Sequence, residues 1–151
     1  LHQRLALAFE RASMNERAAR AASGLASLGI QEGDIIALFL RNDLAFFEAS
    51  IAAGLLGAYP TPVNWHATPE EARYIFENSG AKAVVIHADL LGQIRSAIPA
   101  GVTVLAVATP PEIGEAYGLS RETCAPPAGA LEWSLEEGRF KEITLFEESS
   151  L

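Results

Sequence analysis

The sequence predicts an α/β domain, a mostly parallel sheet with flanking helices. Three observations carry that reading. Short apolar runs at Ile35–Leu40, Ala83–Ile86 and Thr103–Val107 have the length and composition of strands, the first two buried on both faces. Stretches bearing helix start and stop signals lie between them. Strands that alternate with helices in this way form right-handed βαβ units on a parallel sheet.

Taken in order, Leu5-Ala-Leu-Ala-Phe9 reads as a short strand. Ser13-Met-Asn-Glu16 matches a capping box, in which serine and glutamate side chains each satisfy an orphan backbone N–H. The helix it opens stops near Gly29, where glycine tolerates a left-handed cap. Gly33-Asp34 is a turn before the first apolar run. Asn42-Asp43 caps the next helix, about 44–57. That helix is apolar almost all round, which predicts burial on more than one side. Tyr59 to Asn64 carries Pro60 and Pro62, so it is an edge strand or an extended loop.

Thr68-Pro-Glu-Glu71 is the clearest helix start in the chain: Thr68 caps, Pro69 takes the first helical position and Glu71 closes the box. This helix runs to Gly80 and is followed by the strand at Ala83–Ile86, a short helix from Leu90 to Ile98, and the strand at Thr103–Val107.

Half of the 151 residues are apolar and a fifth are charged, as in globular chains. A domain of this size buries roughly 68–70% of its unfolded surface, enough for a core. Charge is uneven. Residues 1–108 hold 8 basic and 10 acidic side chains, and residues 109–151 hold 3 and 9. Composition shifts at Thr109-Pro110-Pro111, and Pro126-Pro127 follows. Residues 1–108 are therefore expected to be an α/β subdomain, and 109–151 an acidic, loosely structured extension.

The net charge of −8 disfavours nucleic acid as a partner, since phosphate contacts need clustered cations. The single cysteine, Cys124, excludes an internal disulfide framework and a cysteine-rich zinc site. No run reaches the ~18–20 apolar residues of a membrane span. The N-terminus is too short and too charged for a signal peptide, and it begins with Leu rather than Met, as a fragment does. These features lead to the expectation of a cytoplasmic fragment.

The residues offer little chemistry by themselves. The chain has no G-x-G-x-x-G, no G-x-x-x-x-G-K-[ST] and no G-x-S-x-G. His2, His66 and His87 lack metal-ligand spacing, so no metal site is expected. His87-Ala88-Asp89 ends a strand, where open α/β sheets bind ligands. An acid–base pair is one reading there, and a helix cap by Asp89 is the other. Cys124 reads as a passive thiol. Glu70 and Glu71 complement a helix dipole. Trp65, between a proline-rich segment and a helix start, is placed to line a pocket or an interface.

The order of pieces resembles a known family. Asn15–Ile30 leads through Gly33-Asp34-Ile-Ile-Ala-Leu-Phe-Leu-Arg-Asn42 to Ala53-Gly-Leu-Leu-Gly-Ala-Tyr-Pro-Thr-Pro-Val-Asn64. Thr68-Pro-Glu-Glu-Ala-Arg-Tyr-Ile-Phe-Glu-Asn-Ser-Gly-Ala81 and Ala83–Ile86 follow. Over about residues 5–108 this is similar to the N-terminal part of acyl-CoA synthetases of the adenylate-forming superfamily. The resemblance implies a Rossmann-like N-terminal subdomain. It differs at Phe9–Ser13, where the join from strand to helix is shorter than in the family and the usual tyrosine is absent.

In that family a carboxylic or fatty acid and ATP give an acyl-adenylate, and CoA then displaces AMP. The resemblance implies ATP, Mg and CoA for the parent enzyme and none for this fragment. The phosphate loop would lie beyond about residue 150, and Phe140–Leu151 contains none. No catalytic residue carries over. Asn64, Trp65 and His66 carry over as candidates near the acyl/CoA region, and Trp65-His66 resembles the branch that acts on hydrophobic acids.

The expected function is thus an inactive N-terminal fragment of an AMP-forming acyl-CoA synthetase. Its partners would be the rest of the synthetase chain and, through an uncovered apolar face, a second copy in a homodimer. The alternatives are a stand-alone α/β module binding an acyl or nucleotide ligand, and a small enzyme using His87 and Asp89.

Overall fold

The computed structural model describes residues 2–133 and 141–142. The chain opens with one long helix, α1 (His2–Ser27). Then come β1 (Ile35–Phe39), α2 (Leu44–Leu55), β2 (Tyr59–Pro62), α3 (Pro69–Ser79), β3 (Ala83–His87) and α4 (Ala88–Ile94), which ends in a 3-10 turn at Arg95–Ala97. β4 (Thr103–Val107), α5 (Pro111–Ala116), α6 (Arg121–Cys124), β5 (Leu131–Glu132) and β6 (Lys141–Glu142) complete the order. The strands form one sheet in the order β2-β1-β3-β4-β5-β6. The first five are parallel and β6 is antiparallel to β5. This is the mostly parallel α/β architecture that the sequence predicts.

Period-2 alternation divides the core into two layers. Register places Leu38 beside Val85 and Val85 beside Leu105. These side chains pack with Ala21 and Leu25 of α1 and Ala45, Ala49, Ala52 and Ala53 of α2. Phe39, Ile86 and Ala106 point the other way, onto Ala72 and Phe76 of α3 and Leu91 and Ile94 of α4. β3 is wholly buried and β1 nearly so because helices cover both faces there, while the edge strand β2 is partly exposed.

The strand expected at Leu5–Phe9 and the helix start expected at Ser13 do not exist, since both lie inside α1. Alanine and leucine favour a helix strongly, and nothing between Phe9 and Ser13 breaks one, so the alternating pattern is read as helix. Ser13 is exposed, and Glu16 pairs with Arg20 one turn on rather than closing a box. The short join noted at Phe9–Ser13 is therefore continuous helix.

A second correction concerns α2. Ala45, Glu48, Ala49, Ala52 and Ala53 are buried, but Leu44, Phe47 and Leu55 are exposed on the opposite face. The helix buries one side only.

The segment after Ala108, expected to be loose, carries α5, α6 and β5, and Trp133 is buried in the α1/α2 layer. The acidic pairs Glu136-Glu137 and Glu147-Glu148 lie outside the described residues. Among the described residues no helix is long and apolar enough to cross a membrane.

A polar cluster at the strand carboxyl ends as the candidate functional site

Parallel strands bring their carboxyl ends to one edge of the sheet, and the polar residues that follow them meet there. The chain leaves β1 through Leu40 and Arg41, and Asp43 then caps α2 by accepting the Phe46 N–H at 3.4 Å. β3 ends on His87, which is fully buried. The Arg41 backbone N–H donates to His87 Nδ1 at 3.2 Å, so that nitrogen carries no proton. The other ring nitrogen, Nε2, then carries the proton and donates it to Asp43 Oδ2 at 2.7 Å. Both ring nitrogens are engaged. His87 therefore fastens the end of β1 to the start of α2 and has no face left for proton transfer.

The Arg41 side chain is the centre of the cluster. Its Nη1 and Nη2 donate to Asp89 Oδ1 and Oδ2 at 2.9 and 2.7 Å, a two-pronged pair with little solvent access. The Trp65 ring lies 4.8 Å from the guanidinium carbon and the Tyr117 ring 5.9 Å from it, both within cation–π range. Asp89 also accepts the Thr109 hydroxyl at 2.7 Å, while its own backbone N–H donates to Thr109 Oγ1 at 3.1 Å. Arg41 Nε is buried and has no hydrogen-bond partner among the described residues.

These contacts set the charges. Hydrogen bonding to Asp89 raises Arg41 above its ordinary value, against the opposing effect of burial. Burial pushes Asp89 upward, but the bonds from Arg41 and Thr109 outweigh it, and the carboxyl lies below its ordinary 3.8. Asp43 follows the same pattern: burial raises it, and the bonds from His87 and from the backbone of Phe46 and Ala45 bring it below 3.8.

Neither sequence reading of His87 and Asp89 holds. They do not pair with each other, because His87 takes Asp43 and Asp89 takes Arg41. Asp89 does not cap a helix. It lies in the first turn of α4, whose cap position is His87 and makes no side-chain capping bond. The carboxylate is drawn to the guanidinium instead, since leaving Arg41 buried and unpaired would cost more than a missing cap.

Asn64, Trp65 and His66 form the turn after β2. Asn64 Oδ1 accepts the His66 N–H at 3.0 Å and its carbonyl accepts the Ala67 N–H at 2.9 Å, which curls the chain toward α3. The Trp65 and His66 rings stack at 3.5 Å. Asn64 and His66 line an open cleft of about 610 Å³ with Ala67, Tyr74, Ile75 and the carboxylates of Glu70 and Glu71. Trp65 is not among the residues lining this cleft; its ring packs on His66 and faces Arg41. Sequence reasoning missed Arg41, Thr109 and Tyr117; the available signal was a lone cation directly after a fully apolar strand.

Residues 9–133 match the family described as AMP-binding enzyme. The chain belongs to that family. The 4-coumarate–CoA ligase 3 of Arabidopsis thaliana is 34% identical over 77 residues, which are 51% of this chain and 14% of that protein. An uncharacterized protein of Mycobacterium tuberculosis is 31% identical over 93 residues, 61% of this chain and 53% of its own. The solved structure of a benzoate CoA ligase from Burkholderia xenovorans is 30% identical, with a TM-score of 0.60 over 62% of this chain and 19% of that one. This chain thus spans only part of each of these relatives. It is similar to an N-terminal portion of adenylate-forming acyl-CoA synthetases.

AMP-binding enzymes use ATP, Mg and CoA. The cluster does not suit their phosphates. Its one cation, Arg41, is neutralised by Asp89 and covered by two rings, and the adjoining cleft carries Glu70 and Glu71. Phosphate recognition needs uncommitted cations or free backbone N–H groups, so no phosphate chemistry is assigned to these residues.

Proposed function

We propose that this chain is the scaffold portion of an AMP-forming acyl-CoA synthetase whose whole reaction joins a carboxylic or fatty acid to CoA through an acyl-adenylate. One observation supports it above others: the family match runs through residues 9–133, and similar proteins include CoA ligases. By itself the chain is inactive, because the one cation that the described residues place at the strand carboxyl ends, Arg41, is locked in an ion pair. Asn64, Trp65 and His66 lie beside the acyl/CoA region of the intact enzyme. The apolar part of the cleft suits the acid's hydrocarbon, and its carboxylates disfavour the phosphates of CoA. The protein is cytoplasmic, its partner is the rest of the synthetase chain, and by itself it self-associates through an uncovered apolar face.

The test is pyrophosphate release by the purified chain with ATP, Mg, CoA and 4-coumarate, benzoate or a fatty acid. No release above a blank is expected, and turnover would overturn the reading. A second reading, a stand-alone module for an acyl or nucleotide ligand, draws on the Mycobacterium tuberculosis relative, just over half of which this chain spans. Saturable micromolar binding of a fatty acid or ATP, without turnover, would favour it.

A further inference from the structure

Glu48 takes no part in the cluster at the strand ends, yet it is a carboxylate only 2% exposed in the middle of α2. Arg17 Nε of α1 donates to its Oε1 at 2.7 Å, and the Trp133 indole N–H donates to its Oε2 at 3.2 Å. One side chain thus ties α2 both to α1 and to the segment after β5. The apolar packing around it is smooth. The buried side chains of the two helices are mostly alanines: Ala18, Ala21 and Ala22 on α1, and Ala49, Ala52 and Ala53 on α2. An alanine has a single side-chain carbon and makes only a shallow ridge, so apolar contact alone distinguishes neighbouring registers poorly. The link of residues 28–34 between α1 and β1 is long enough to take up a shift of one turn.

We propose that Glu48 is a register pin, a positioning residue that fixes where α1 lies along α2. A slip of one turn carries Arg17 about 5.4 Å along the helix. It leaves Glu48 buried without its cation, and an uncompensated buried charge is strongly unfavourable. Replacing a whole buried pair by apolar side chains of similar volume is often neutral for stability. What the pair supplies is therefore a difference between the native register and its neighbours, as a single buried polar residue does between helices in a coiled coil. α2 is itself fastened to the sheet where its cap, Asp43, accepts from His87 Nε2. The pin passes that position on to α1 and to Trp133, and it is independent of the reaction proposed above.

The experiment uses the whole chain with Cys124→Ser and nitroxide labels at Ala19→Cys on α1 and Leu55→Cys on α2, both exposed positions. Pulsed electron double resonance reads the distance between the labels, and urea unfolding reads stability. With Arg17 and Glu48 in place, one distance is expected. Arg17→Met with Glu48→Met fills the same space without charge. Its urea midpoint should match that of the labelled parent, while a second distance appears, displaced by up to one turn, about 5.4 Å. Arg17→Lys keeps the cation and should show the single distance. If the double variant does not unfold cooperatively, Arg17→Met alone decides, since Glu48 then keeps its bond from Trp133; it too should show the second distance. A single, unchanged distance in the variant that folds would overturn the pin, because apolar packing would then set the register. A lower urea midpoint with that single distance would likewise overturn it, and would make the pair a stabiliser instead.

Discussion

Arg41 touches four segments at once: Asp89 at the start of α4, Trp65 after β2, His87 through its own backbone N–H, and Tyr117 after α5. Its pairing with Asp89 therefore governs how the strand ends sit together. Removing one partner of a buried pair leaves the other charge uncompensated, at about 3–5 kcal/mol. Asp89→Asn keeps the shape and discards the charge, so a loss of that size is expected in urea unfolding at neutral pH. Acid has a defined effect on the unmutated chain. Asp43 and Asp89 are held below 3.8 in the folded state. The folded state thus releases their protons more readily than the unfolded chain does, and their contribution is fully present above that value. It is lost as pH falls through the lower folded values. Urea midpoints should drop on acidification below about 3.8, and the Asp89→Asn drop should be shallower. A variant that followed the wild-type curve would show that Asp89 does not carry this acid dependence.

Local signals decided the elements most reliably where two devices agreed. α3 is the clearest example. Thr68 Oγ1 accepts the Glu71 N–H at 3.2 Å, Glu71 Oε2 accepts the Thr68 N–H at 2.8 Å, and Gly80 closes the other end with φ at 67°. Thr68→Ala removes one half of the box and should cost about 1 kcal/mol, read from thermal or urea unfolding. A null effect would mean that packing of Ala72 and Phe76 alone holds the helix. β1, β3 and β4 were legible because strands covered on both faces are apolar without interruption. α1 was not: leucine alternating with alanine fits either period, and the serine and glutamate of the expected capping box occur by spacing alone inside a helix. The exposed side of α2 was hidden for a different reason, since an apolar helix does not disclose which of its faces has a neighbour. At the site, punctuation and aromaticity single out Trp65 alone, and Asn64 and His66 enter only through the family resemblance. The Arg41–Asp89–Thr109 cluster was not legible, because it joins positions up to 68 residues apart that only the parallel register brings together.

Across the whole molecule, the composition break at Thr109 does not coincide with a break in packing. Thr109 binds Asp89, Tyr117 covers Arg41, and β5 extends the sheet beside β4. Trp133, 8% exposed, fills the layer under α1 and α2 and donates its indole N–H to buried Glu48. A chain cut after Ala108 would lose all of these together. Truncating a buried tryptophan alone costs about 3–5 kcal/mol, and losing the indole donor leaves the Glu48 carboxylate with Arg17 alone among the described residues. Set against a total stability of about 5–15 kcal/mol for a domain, the shortened chain should be marginal or unfolded. A chain cut after Trp133 keeps every one of these contacts and should retain a cooperative urea transition. If the chain ending at Ala108 unfolded as cooperatively, and at the same midpoint, as the one ending at Trp133, then residues 109–133 would be an appendage, and the Arg41 cluster would not need Thr109 or Tyr117 to hold the strand ends in place.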